Sequence, residues 1–216
     1  MTGETPVLTA SFWRTRRAAA ISGIVAGLLL LTAMTLMRMA VSDSAFEDLQ
    51  SDQERRAMVA ASLYLIPFAG IAFLWFIGVV REQLGEVEDR LFSTVFLGSG
   101  LLFLVLVFAG AVNASSMLAM LEDSPANADV WEFGRESARG LIAVYAMRMA
   151  AVFTLSVSTA ALRASSIPRP ICYAGFVVAI SLLLAPSGQT WVQMLFPSWV
   201  LVVSTALLLA RPPPRT

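Results

Sequence analysis

The chain has no histidine and no lysine, and its single cysteine, Cys172, stands in an apolar run. Without imidazole there can be no histidine-ligated haem, no ordinary zinc hydrolase site and no Ser-His-Asp or Cys-His relay. One thiol cannot close a disulfide within the chain, so Cys172 reads as a small buried hydrophobe. Charge is scarce as well: 14% of the 216 residues are charged and 57% are hydrophobic, with fifteen arginines balancing fifteen acidic residues. A net charge of zero leaves no overall field to attract nucleic acid. The hydrophobic excess lies outside the range of ordinary soluble domains. Basic residues that are all arginine, in an alanine-rich chain, suit a GC-rich bacterial genome.

What the chain does have is long charge-free runs. A hydrocarbon core about 30 Å thick takes roughly 20 apolar residues per helical crossing, so these runs count spans. The expected fold is an all-α polytopic membrane protein, a bundle of six transmembrane helices with short amphipathic helices in the outer loops. The spans fall at about 18–40, 58–80, 91–112, 140–162, 170–185 and 191–210, between cytoplasmic tails at 1–17 and 211–216. The first run, Ala18 to Met37, follows Arg14, Arg16 and Arg17; it is longer than a signal-peptide core and lacks a small-x-small cleavage site, so it reads as a retained helix. The run Leu91 to Leu121 is too long for one upright crossing, which leaves Asn113 to Leu121 as an interfacial extension. Pro186 to Thr190 is the turn cluster that divides the final run into a tight hairpin. Pro197 should kink the sixth helix or end a short first segment.

Orientation follows from arginine. With the N-terminus inside, the inner segments carry nine arginines and the outer loops four, namely Arg55, Arg56, Arg135 and Arg139. Positive charge accumulates on the cytoplasmic side, so both termini are expected inside, in the bacterial cytoplasmic membrane. Ten of the fifteen acidic residues fall outside, which gives the outer face a negative balance. Ser44 to Glu47 and Ser51 to Glu54 both fit a capping box, so the second helix should begin near Ser51. After Ser124-Pro125, the residues Val130, Trp131 and Phe133 give a short helix an apolar side, suited to lying on the membrane surface and leading into the fourth span.

Polar groups inside the spans are costly and point to partners or water. Arg38 is close enough to the interface to snorkel, whereas Arg148 lies about two turns in and should face the bundle. Tyr64, Asn113, Tyr145 and Gln193 should lie at similar depth, so these six residues form a candidate outward-facing polar cluster. It reads either as a structural clamp, with an arginine paired to Glu136 or Glu47, or as a pocket for a small polar or anionic ligand. Both arginines sit in the tetrapeptide Met-Arg-Met-Ala, too short a match to establish an inverted repeat. Ala19, Gly23 and Gly27 form a small-residue ridge for close helix packing or dimerisation.

No acidic residue lies within a span, which argues against a proton-relay pump or an intramembrane aspartyl protease. Gly98-Ser99-Gly100 lacks the spacing and histidine partner of a nucleophile elbow, and no phosphate-binding glycine loop is present. The reading is a non-catalytic membrane assembly or accessory protein, with no cofactor. Its partners are the lipid bilayer and a membrane protein or second copy of the chain, not nucleic acid. The alternatives are a small channel or transporter with an acidic outer vestibule, and an outer-face lipid-modifying enzyme using Glu132 and Glu136.

Overall fold

The computed structural model describes residues 6–41, 51–84, 90–123, 128–164, 167–185 and 189–209. All the secondary structure among them is helical, in the order α1 (Pro6–Val41), α2 (Gln53–Leu84), α3 (Arg90–Asp123), α4 (Ala128–Arg139), a π-helical turn (Gly140–Ala146), α5 (Met147–Ala164), α6 (Arg169–Leu184), a 3-10 turn (Thr190–Met194) and α7 (Leu195–Leu209). Five stretches are long and apolar enough to cross a membrane: Ala20–Met39, Gln53–Arg81, Ser93–Met120, Val130–Ala164 and Trp191–Leu209. The sixth, α6, has 16 residues, about 24 Å at 1.5 Å per residue. The chain is an all-helical polytopic membrane protein.

Neighbouring helices run antiparallel in a closed ring. α1 packs on α2, α2 on α3, α3 on α5, α5 on α6, α6 on α7, and α7 returns to α1. The register is visible where glycine lets backbones meet. Gly23 abuts Ser204 of α7 and Phe76 of α2, and a Cβ on Gly27 would lie 2.6 Å from Leu201 Cγ. The ridge on α1 therefore faces inside the chain; Ala19 lies outside the described side chains. Gly175 of α6 touches Ser158 of α5 and Trp199 of α7 in the same way.

Six phenylalanines fill the middle of the ring. Phe73, Phe76, Phe96, Phe103, Phe153 and Phe196, drawn from α2, α3, α5 and α7, are all fully buried. Phe73 is the hub, with ring centroids 6.0, 5.3, 5.2 and 5.7 Å from those of Phe76, Phe103, Phe153 and Phe196. Tilted and edge-on pairs at such spacing contribute about 0.5–1.5 kcal/mol each beyond burial. Residues such as Ile21, Leu28, Trp75, Val105 and Val177 are exposed on the outside of the ring, the pattern of a surface meant for lipid.

Several local expectations change. The cap of α2 is Asp52 rather than Ser51, since Asp52 Oδ1 accepts from Glu54 N–H at 2.9 Å and Arg55 N–H at 3.2 Å. A carboxylate at a helix start satisfies free amides and also meets the positive end of the helix dipole. The Ser44 to Glu47 box and turn residues 186–188 lie outside the described residues. Pro197 is buried in the first turn of α7, where a missing N–H costs least, and the preceding 3-10 turn takes up the irregularity. The extension Asn113 to Leu121 continues α3 unbroken to Asp123 and packs on α4, with Met117 buried against Gly134. α4 is amphipathic and, as expected of a short helix leading into the fourth span, runs through the π turn into α5.

Phe73→Ala is expected to lower unfolding free energy by about 3–5 kcal/mol, the range for emptying a buried aromatic site. Phe68→Ala, on the exposed side of the same helix, is expected to change it by under about 0.5 kcal/mol. Denaturant titration in mild detergent compares the two.

Candidate functional site

At the end of the bundle that holds the C-terminus of α1, a cavity of about 460 Å³ opens among α1, α2, α3, α4 and the start of α7. We refer to this as the distal end. Each element contributes through its helical face. Leu30, Ala33, Met34 and Arg38 come from the last turns of α1, while Val59, Ser62 and Ile66 come from the start of α2. Val107 and Met117 line it from α3, and Gln193 and Met194 from the 3-10 turn. α4 and the π turn add Trp131, Arg135, Ala138, Arg139 and Ile142, one helical stripe.

Its two walls differ in chemistry. Deep in the cavity the lining is apolar, with Leu30, Ile66 and Val107 each at most 7% exposed. Ser62, also buried there, donates from Oγ to the Ala33 carbonyl at 2.8 Å. That bond ties α2 to α1 and leaves the floor without a free hydroxyl proton. The charged members of the lining are Arg38, Arg135 and Arg139, and none of the described lining residues is acidic.

Carboxylates stand behind two of these arginines. Arg135 donates from Nε to Glu132 Oε2 at 3.0 Å and from Nη2 to Glu132 Oε1 at 2.6 Å, a bidentate pair. Glu136 Oε1 lies 3.4 Å from both Arg135 Nη2 and Arg139 Nη1. These contacts fix the guanidinium groups without neutralising all their donors, because each guanidinium carries five N–H bonds. Arg38 makes no ion pair among the described residues.

The six polar residues expected together are divided by the structure. Arg38 and Gln193 line the cavity. Asn113 lies next to it, donating from Nδ2 to Ser137 Oγ at 3.4 Å. Tyr64 is 70% exposed and points away, two residues round α2 from cavity-facing Ser62. Tyr145 is 61% exposed. Arg148 is half-buried and donates from Nη1 to the Val144 carbonyl at 3.0 Å.

The π turn accounts for Tyr145 and Arg148, while Tyr64 departs through the phase of α2. The turn spans seven residues and bonds i to i+5, so it rotates Tyr145 and Arg148 relative to the α-helical phase that the sequence implies. At its end the Met147 N–H is shared between the Ile142 and Val144 carbonyls, and the Arg148 guanidinium supplies Val144 with a charged donor. Arg148 thus braces the irregular turn. It does not pair with Glu136, which is held by Arg135 and Arg139, and Glu47 lies outside the described residues.

Sequence reasoning placed Trp131 on a short surface helix and counted Arg135 and Arg139 as outer-loop charges, and so left all three out of the cluster. The spacing of Trp131, Arg135, Ala138 and Ile142 carried the signal: these positions share one helical face. The fold and site define a polytopic helical membrane protein with a cation-rimmed, apolar-floored cavity at one end. No protein-family model, curated protein or solved structure matches the chain.

Arg148→Ala is expected to cost about 1.5–3 kcal/mol, the contribution of a hydrogen bond to a charged group. Tyr145→Ala is expected to stay within about 0.5 kcal/mol. Detergent-phase unfolding of the two variants distinguishes a brace from an exposed side chain.

Proposed function

We propose that this is a non-catalytic accessory protein of a bacterial cytoplasmic membrane, with both termini in the cytoplasm, whose distal cavity opens outward to hold a small anionic ligand. The observation that carries the reading is the lining: Arg38, which makes no ion pair among the described residues, stands with Arg135 and Arg139, whose partners Glu132 and Glu136 lie outside the lining, so three positives against two negatives leave a net positive rim. In a partly apolar, low-dielectric recess such a rim attracts anions and repels cations. The orientation rests on the arginine tally, nine inside against four outside.

Two observations favour binding over the alternatives. The carboxylates that an outer-face enzyme would need, Glu132 and Glu136, are engaged by Arg135 and Arg139 and do not line the cavity. A channel would need a path past the phenylalanine cluster. Phe103 lies one turn below cavity-lining Val107 on α3, and Phe73 two turns below Ile66 on α2, so buried rings fill the way through. An acidic vestibule is the weaker reading because the charges on the lining are all cationic. The outward-facing apolar side chains serve contact with lipid or with a partner helix.

The test uses thiol reagents of opposite charge. With Cys172→Ser as background, Gln193→Cys is expected to react at least about tenfold faster with a sulfonate-bearing methanethiosulfonate than with its trimethylammonium counterpart at low salt. The difference should shrink in high salt and on adding Arg38→Gln. Faster reaction with the cationic reagent would overturn the proposal.

A further inference from the structure

The proposed rim accounts for an anion but not for the space beneath it. A single small oxyanion would occupy a minor part of 460 Å³. The remaining volume is walled by Leu30, Ile66 and Val107 and closed by the thioethers of Met34, Met117 and Met194. Methionine side chains are flexible and polarisable, and adapt to a chain of no fixed shape. Water in that lower region would find few polar partners, since the Ser62 hydroxyl is already spent on Ala33.

Resting on the anion-binding reading, we propose that the ligand is a single-chain anionic amphiphile, with a phosphate-like head on Arg38 and Arg139 and an alkyl chain on the apolar floor. A methylene occupies about as much volume as a water, so the cavity takes on the order of ten carbons with the head at the rim. The site also lies where such a molecule would be met: α1 and α2 expose apolar side chains to lipid along their outer faces, at Leu28, Met39 and Tyr64 among others. Trp131, on the lining, stands as an internal reporter.

The test measures quenching of Trp131 fluorescence by 8-bromooctyl phosphate in the full chain reconstituted in nanodiscs. Binding is referred to free aqueous concentration so that uptake by lipid is separated. Saturable quenching is expected that Trp131→Phe removes and that Ala33→Phe, which fills the cavity, abolishes in a protein retaining its Tm. Arg38→Gln, at an exposed position that does not threaten folding, should weaken it about tenfold or more. Unbrominated competitors from butyl to octyl phosphate should each gain about fourfold per methylene, and octyltrimethylammonium should not compete.

If methyl phosphate competes as well as octyl phosphate, the amphiphile inference fails while the anion pocket stands. If neither competes, or if octyltrimethylammonium competes equally, both readings fail. Saturable Trp131 quenching that survives in folded Ala33→Phe would place the ligand outside the cavity and overturn the inference. Competition by octanoate as well as octyl phosphate supports it and widens the head to carboxylate.

Discussion

The structure depends on the packing of Phe73 against its aromatic neighbours. Lipid tails are as apolar as any side chain, so burial alone does not draw transmembrane helices together; close packing and interhelical hydrogen bonds must do it. Phe73 supplies that packing at the centre, within 6.0 Å of four other buried rings from α2, α3, α5 and α7. α1 contributes no ring to the cluster. It joins through Gly23 and Gly27, which let it approach Phe76, Leu201 and Ser204, and through the bond from Ser62 to Ala33. Large rings at the centre and small residues at the seam are two halves of one arrangement.

The cavity follows from where that arrangement stops. The rings occupy the middle of the bundle, and beyond them toward the distal end the inward residues shrink to Ala33, Ser62 and Ala114 or become flexible methionines. Helices that stay apart there leave a space instead of a core. α4 covers it from one side, and the π turn sets the angle at which α4 presents Trp131, Arg135 and Arg139. A turn of this kind commonly marks a functional position. Arg148, the most conspicuous intramembrane charge, serves the turn by satisfying Val144.

Much of the fold was legible because lipid imposes a simple rule: uncharged length measures crossings. Each of the expected runs 18–40, 58–80 and 140–162 falls on a helical stretch, while the helices themselves extend past the apolar run at one end or the other, and α6 ends at Leu184 before the 3-10 turn begins at Thr190. In α3 the helix runs on to Asp123, two residues past the end of the charge-free run at Leu121, because the length of a crossing does not set where a helix stops. Of the candidate cluster, Arg38 and Gln193 were found by depth alone, which suffices when a residue also happens to face inward. Tyr64 shows the limit, since depth without helical phase puts a lipid-facing ring in the wrong place. Arg135 and Arg139 were missed for the opposite reason. They look like solvated loop charges until the π turn joins their helix to a span, and a π turn leaves no mark in composition.

Packed phenylalanines close the bundle below the cavity, which in the proposed orientation faces outward. Labelling single cysteines in a Cys172→Ser background with a membrane-impermeant maleimide tests it directly. Gln193→Cys, above the rings, should be modified from the outside of intact cells, while Ile77→Cys, buried among them beside Phe76, should resist from either side and become reactive only when Phe73→Ala opens the core. Modification of Ile77→Cys from outside with Phe73 intact would reveal a continuous path through the protein and contradict the account.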